Sequence, residues 1–390
     1  MELRALRRIL LALVGTATVP PLDGLGSADW AALNALAAQH RLRPLLHAQH
    51  GQNPQLPAAI RLDWQDSHRF AAMQAMLIRH ELTECVHVLE RAGIAPIALK
   101  GAWLAAHAYP APALRPMRDI DLLVPQDQVL EGYAALQAAG YAELGVAEMP
   151  LEQAVRLDKH LPPLVAPRGT VIELHHRLWE PDGRLDHASP CGDMATPAQT
   201  RRDGDGVAYL AAADTLAHLI VHAVYSHRLD CGPLLLSDVD FLLRAAPINW
   251  AAFWQRARSG GWRSGARLVL ELVAQNRIEA RIDFTPDDGP PPPRELIEAA
   301  PDLLLQDLDT RRSAGLAAAA IKAGPGKLLQ RLRGRRSAHG EAEVTRQMAH
   351  EGGLIGWAGS RAWRSLTELA RADVRRQSRQ LAALSTWLDR

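Results

Sequence analysis

The sequence predicts an α+β protein in which a small mixed sheet is flanked by large N- and C-terminal helical regions. Three observations carry this. Apolar residues recur at helical spacing up to about residue 92, short apolar runs bounded by turn residues fill 94–180, and helical spacing returns from about residue 200. A chain of 390 residues with 48% apolar content can bury two or three cores. The spacing divides it into a helical region 1–92, a core 93–200, a helical region 201–284 packed on that core, a Pro-rich linker 285–293, and a basic and helical region 294–390.

Charge is nearly balanced, 44 Lys and Arg against 43 Asp and Glu, so no global field draws the chain to nucleic acid or to an anionic membrane. Cys85, Cys191 and Cys231 stand far apart without CxxC spacing, which speaks against a zinc site or a disulfide scaffold and for a reducing cytoplasm. The start imitates a signal peptide, with MELRALRR before an apolar run. Glu2 in the basic part, Gly15-Thr16 in the apolar part and the lack of an A-x-A site favour a first amphipathic helix instead. Nothing else approaches the roughly 18 apolar residues that cross a bilayer.

In chain order, Ser27-Ala28-Asp29 is expected to cap a helix through Trp30, Leu33 and Leu36, and Ser67 to Arg91 continues helical spacing. Its stripe of Met73, Met76, Leu77, Leu82, Val86 and Leu89 reads as a buried face, ended by Gly93. Ile94 to Leu99 is a strand candidate weakened by Pro96. A short helix over Ala102 to Tyr109, a loop over Pro110 to Pro116 and a strand over Asp119 to Val124 follow, and then a helix that closes at Gly140. Leu161 to Val165 and Thr170 to Leu174 flank the turn Ala166-Pro167-Arg168-Gly169 as a hairpin, which would put Val171, Glu173 and His175 on one face. Beyond residue 200 the expected helices are Ala213 to His227, Leu234 to Arg244 and, capped by Asn249, Trp250 to Arg258. TPDDGPPPP at 285–293 can hold neither helix nor central strand. Arg311 to Arg336 is basic and lacks interleaved aromatics, so a solvated segment is the plainer reading over a nucleic-acid, phosphoprotein or membrane contact. The final helix, Ala358 to Leu388, either packs back or serves a partner.

Asp119-Ile120-Asp121 places two carboxylates on one side of a strand, an arrangement that is costly unless a cation neutralises it. With Glu173 on a second strand they make a three-carboxylate set, the hard oxygen ligands that two Mg²⁺ ions require. Lys100-Gly101 forms a turn after a strand. Lys100 either caps carbonyls or reaches a phosphate; Arg115 and Arg118 either grip phosphate oxygens or pair with nearby acids; His175 either orients a carboxylate or contacts phosphate. His218 and His222 have the i, i+4 spacing of a metal pair, but apolar neighbours favour packed histidines. Asp238-Val239-Asp240 repeats the spelling on a predicted helix, where residues two apart diverge by about 200°; it is excluded from the metal site.

Leu99-Lys100-Gly101, Tyr109, Leu114 to Val124 (LRPMRDIDLLV) and Ile172-Glu173-Leu174-His175, with the later His218, His222, His227 and Asp238 pattern, resemble an uncharacterised bacterial nucleotidyltransferase family of the DNA polymerase β-like superfamily. The resemblance covers roughly residues 10 to 275 and is most specific at RPMRDIDLLV. It implies that Asp119 and Asp121 hold both metals, that Glu173 helps orient the attacking group, and that Gly101 with Lys100 occupies the phosphate-cradling turn. Here the chain has Lys-Gly where the superfamily usually has Gly-Gly or Gly-Ser. The expected activity is Mg²⁺-dependent transfer of a nucleoside monophosphate from an NTP, ATP among them, to a small-molecule, RNA or protein acceptor. The alternative is an inactive nucleotide-binding or protein-interaction module of the same fold.

Overall fold

In a computed structural model of the chain, residues 1–15, 21–145, 149–179, 200–277, 279–306 and 372–389 are described. Period-two alternation builds the central strand: Ile120 and Leu122 are buried on one side of Asp119–Leu123, leaving Asp119 and Asp121 on the other. In chain order the strands are β1 (Ile97–Ala98), β2 (Asp119–Leu123), β3 (Ala142–Glu143), β4 (Leu164–Val165), β5 (Val171–His175), β6 (Thr200–Arg202) and β7 (Ala208–Leu210). They form one seven-stranded sheet in the order β3-β4-β5-β2-β1-β7-β6. β2 runs parallel to β5 and β1 to β7, while the remaining neighbours are antiparallel, so the sheet is mixed.

The expected β4–β5 hairpin forms. Its turn closes through Gly169 N–H to Ala166 O at 2.9 Å, with Gly169 at φ +100°, where a side chain would be strained. The buried Glu81 carboxylate accepts the Arg168 and Thr170 amides at 2.8 and 3.2 Å and pins the turn to the helix that carries it.

Among the described residues four helices precede the sheet: α1 (Leu3–Leu13), α2 (Ser27–Gln39), α3 (Arg43–His50) and α4 (Ala58–Arg91). The cap of α2 is Gly26 rather than Ser27, with the Gly26 amide donating to Asp29 at 3.1 Å. α4 starts earlier than its spacing suggested, because Trp64 is buried and its Nε1–H donates to Asn34 at 3.0 Å. The methionine end of the expected stripe is not buried: Met73 and Met76 are 64% and 75% exposed. The expected Leu82, Val86 and Leu89 are buried, and Ala71, Ile78 and Cys85 complete the buried stripe in place of the methionines. Met73 and Met76 each stand two residues from a member of it, which on a helix is about 200° away.

Gly101–Trp103 (α5) continues as a wider π turn over Leu104–Ala108, and α6 (Val129–Ala138) makes the crossover that lets β2 and β5 run parallel. A Cβ on Gly132 of α6 would meet Leu89, Ile94 and Leu174 at 3.2–3.5 Å. Thus α4 and α6 cover the sheet face opposite the carboxylates. A short helix α7 (Leu151–Leu157) precedes β4.

The chain does not become helical again at residue 200. β6 and β7 pair first, around the Asp203-Gly204-Asp205-Gly206 turn, with Asp203 accepting the Asp205 and Val207 amides. Then come α8 (Ala212–Val221), a π turn over His222–Ser226, α9 (Leu234–Ala245), α10 (Trp250–Ser259), α11 (Arg263–Asn276), α12 (Arg294–Leu304) and α13 (Ala372–Leu388). Asn249 caps α10 as expected, accepting from Ala252 N–H at 3.1 Å. The Pro-rich stretch has neither helix nor strand, and its Asp287 docks on α11 through Arg263 and Arg267 at 2.7–2.9 Å. α13 packs back on α12, with Gln380 donating to Asp302 and Val374 fully buried. The basic run 311–336 and residues 358–371 lie outside the described residues. Among the described residues no helix is long and apolar enough to cross a membrane.

Candidate metal and nucleotide site

The parallel register sets Asp121 opposite Glu173, Asp119 opposite Val171 and Leu123 opposite His175. Alternation along both strands then turns Asp119, Asp121, Glu173 and His175 to the face left open by α4 and α6. Ligand atoms of Asp121, Glu173 and His175 lie within 4.8 Å of one another, a group able to hold a metal ion. His175 Nε2 stands 3.0 Å from Asp121 and 3.3 Å from Glu173. His160 Nε2 is 3.8 Å from the same Glu173 oxygen. Asp119 faces the same cavity but is not part of that tight group.

Lys100 Nζ lies 3.3 Å from the other Asp121 oxygen. Its backbone, at φ +42° and ψ −111°, is unusual for a residue with a side chain and turns the chain sharply between β1 and α5. Gly101 follows for a steric reason: a Cβ there would come 2.5 Å from Arg115 Nη1 and 2.9 Å from Met117 Sδ.

The two aspartates are pushed in opposite directions. Burial, reinforced by the charges of Asp121 and Glu173, raises Asp119 above the usual carboxylate range. Asp121 falls well below it against the cost of burial, because Lys100 and then His175 favour its charged form. His175 is held above the ordinary histidine value despite burial by its bonds to Asp121 and Glu173, and the same His175 contact lowers Glu173 against burial.

The two arginines part company. Arg115 is clamped on Asp238, Nε at 3.2 Å and Nη2 at 3.0 Å, while Tyr109 OH donates to the same carboxylate at 2.7 Å. Arg118 is exposed and has no carboxylate partner among the described residues. Asp238 and Asp240 diverge as α9 requires: Asp240 pairs with Arg244 at 2.9 Å, away from Arg115. Neither belongs to the metal-competent group.

His218 packs edge-on to Trp179 at 5.4 Å and to His222 at 6.1 Å, so the i, i+4 pair is in ring-to-ring contact. Burial drives both well below the usual histidine value, with the Lys100 charge adding to it. The cavity over the carboxylate face, of about 420 Å³, is also lined by Arg41, Lys159, His160, His227 and Asp230. His227 Nδ1 is fixed by Asp230 at 2.9 Å. Sequence reasoning noticed the histidine spacing without its place in the cavity. It missed Arg41 altogether, which has no local motif and reaches the site only through the packing of α2 and α3.

No curated protein and no solved structure matches the chain. A family model described as uncharacterised nucleotidyltransferase matches residues 26–276, from the cap of α2 to the last residue of α11. That span contains the whole sheet and every residue named at the cavity, and the chain therefore belongs to the uncharacterised nucleotidyltransferase family.

Proposed function

We propose that the protein is a Mg²⁺-dependent nucleotidyltransferase that moves a nucleoside monophosphate from an NTP to an acceptor hydroxyl and releases pyrophosphate. The observation that carries this reading is the register of Asp121 against Glu173, with Asp119 on the same face of the same cavity. The donor set fits divalent metal chemistry: two carboxylates and an imidazole converge within 4.8 Å, and the carboxylate side is crowded enough to push Asp119 toward its neutral form.

Asp119, Asp121 and Glu173 would hold the ions. When bound, Mg²⁺ supplies neutralisation of charge on the attacking and leaving oxygens. His175 orients the Asp121 and Glu173 carboxylates from beneath. Lys100 carries positive charge at the turn and keeps Asp121 ionised. Arg118, unpaired with any described acid, is the side chain that grips phosphate; Arg115, already committed to Asp238, shapes the turn around Gly101. The acceptor oxygen forms a new ester bond to the α-phosphorus, the bond to the β-phosphate bridging oxygen breaks, and its electron pair leaves with pyrophosphate. The acceptor proton passes to solvent or to Glu173.

One observation favours the second reading, a nucleotide-binding module without transfer: the Lys100 ammonium already neutralises Asp121. Incubation of the purified chain with each α-labelled NTP, Mg²⁺ and a cell extract decides between them. Labelled product and released pyrophosphate, both lost in Asp119→Asn, support the enzyme; product that survives Asp119→Asn overturns the site.

A further inference from the structure

Beside the carboxylate cavity lies a second groove of about 580 Å³, walled by Arg41, Arg43, Arg118 and Arg168 and floored in part by Phe70 and Met117. No Asp or Glu lines it among the described residues. Arg41 and Arg118 line both spaces, so the groove adjoins the carboxylate cavity at these two residues. Four arginines around one concavity with no acid in its lining make it a positively charged surface that favours anions.

Their existing partners do little to relieve this. Arg118 and Arg168 are exposed, with no carboxylate partner among the described residues. Arg43 Nη2 donates to the Asn34 carbonyl at 3.3 Å and reaches Asp63 only at 4.0 Å, while its buried Nε has no hydrogen-bond partner. Arg41 donates weakly to the Pro116 carbonyl at 3.5 Å. Burial and the nearby charges of Arg118 and Arg115 pull Arg41 down to about 10. It also sits at φ +57°, a conformation that packing must enforce.

We propose that this arginine-walled groove is the acceptor site, and that the acceptor bears phosphate: a mononucleotide or the end of a single-stranded nucleic acid. The proposal rests on the nucleotidyl-transfer reading, since it takes the groove to deliver a hydroxyl to the adjoining cavity. Guanidinium pairs bidentately with phosphate oxygens, and several of them suit a ligand with more than one phosphate charge. Phe70, 57% exposed on α4, and Met117 give apolar surface against which a base can lie. The balanced net charge of the chain makes this a local feature, not a consequence of a basic protein.

The test uses the full chain, a fluorescein-labelled short single-stranded oligoribonucleotide followed by anisotropy, and AMP as competitor. Saturable binding that weakens with salt is expected, with Arg168→Glu and Arg43→Glu each reducing affinity about tenfold or more and Arg168→Lys largely restoring it. Displacement of the strand by AMP assigns the groove to the terminal nucleotide; resistance to AMP assigns it to a longer run of phosphates. Failure of both probes to bind, or binding indifferent to Arg168→Glu and Arg43→Glu, overturns the proposal. Arg168 stands exposed in the β4–β5 turn and contributes only its amide to Glu81, so the variant keeps its fold, checked by its circular dichroism melt. Mg²⁺-dependent ATP binding is measured in parallel. Its absence counts against the transfer reading, while the two arginine variants decide the groove.

Discussion

Lys100 Nζ lies 3.3 Å from Asp121, on the oxygen that His175 does not bind. Asp121 is thus held between a cation from the β1–α5 turn and an imidazole from β5, and it stays ionised although its side chain is only 9% exposed. The same turn keeps Lys100 in a strained backbone conformation next to a glycine that cannot carry a Cβ. The metal-competent strand face and the turn expected to meet phosphate are therefore coupled through a single ion pair.

Replacing Lys100 by Met should expose that coupling. The ammonium and the carboxylate are both largely buried, so removing the ammonium leaves Asp121 with His175 alone to offset its charge and costs about 3 kcal/mol. Thermal melting should show a lower Tm for Lys100→Met without metal, and Mg²⁺ should raise that Tm more than it raises the wild type's. Equal Mg²⁺ effects in the two proteins would mean that Lys100 and the ion do not share Asp121.

Gly101→Ala tests the turn by volume alone. The new methyl would overlap Arg115 Nη1, and Arg115 cannot swing aside without giving up Asp238. A loss of about 1–3 kcal/mol is expected in urea unfolding. Trimming the second obstacle in Gly101→Ala/Met117→Ala should recover only part of it, because the guanidinium remains. Full recovery would make Met117 the real constraint.

What the sequence made legible here was whatever obeys a short period. Alternation put Asp119 and Asp121 on one strand face, the Ala166 to Gly169 turn gave the hairpin, and Glu173 with His175 followed from that. The register of β2 against β5 was not legible, since it is set by the α6 crossover and by packing on α4. Arg115 and Asp238 were both conspicuous, but a bond between residues 123 apart leaves no local trace. β6 and β7 are three residues each, too short for alternation to show, although the Asp-Gly pairs between them are a turn signal. Met73 and Met76 misled because helical spacing fixes which residues share a face and not which face meets the core.

The Arg115 clamp predicts a steep penalty at a position far from the carboxylates in sequence. Asp238→Asn leaves the Arg115 guanidinium buried with a neutral partner and should cost about 3–5 kcal/mol. Tyr109→Phe removes one hydrogen bond to the same carboxylate and should cost about 1 kcal/mol. A double-mutant cycle between Tyr109→Phe and Asp238→Asn should be non-additive, because the tyrosine bond loses most of its value once the carboxylate is neutral. Additivity would separate the two interactions.

Asp287 supplies the pH dependence of the Pro-rich stretch. Burial opposes its charge, but Arg263 and Arg267 hold its carboxyl below the ordinary value. A group whose native pKa is depressed contributes stability that is fully present above its unfolded value, about 4, and is lost as pH falls through the native one. Asp287→Asn should therefore destabilise the protein by about 2–3 kcal/mol at neutral pH, since Arg263 loses a bidentate partner and Arg267 a single charged bond. The difference from wild type should shrink as pH falls below about 4, where the wild-type carboxylate is itself protonated. Urea midpoints measured from neutral pH down to pH about 3 check this. A gap between the two proteins that stays constant across the acid limb would place the stabilisation in packing of the prolines and not in the Asp287 charge.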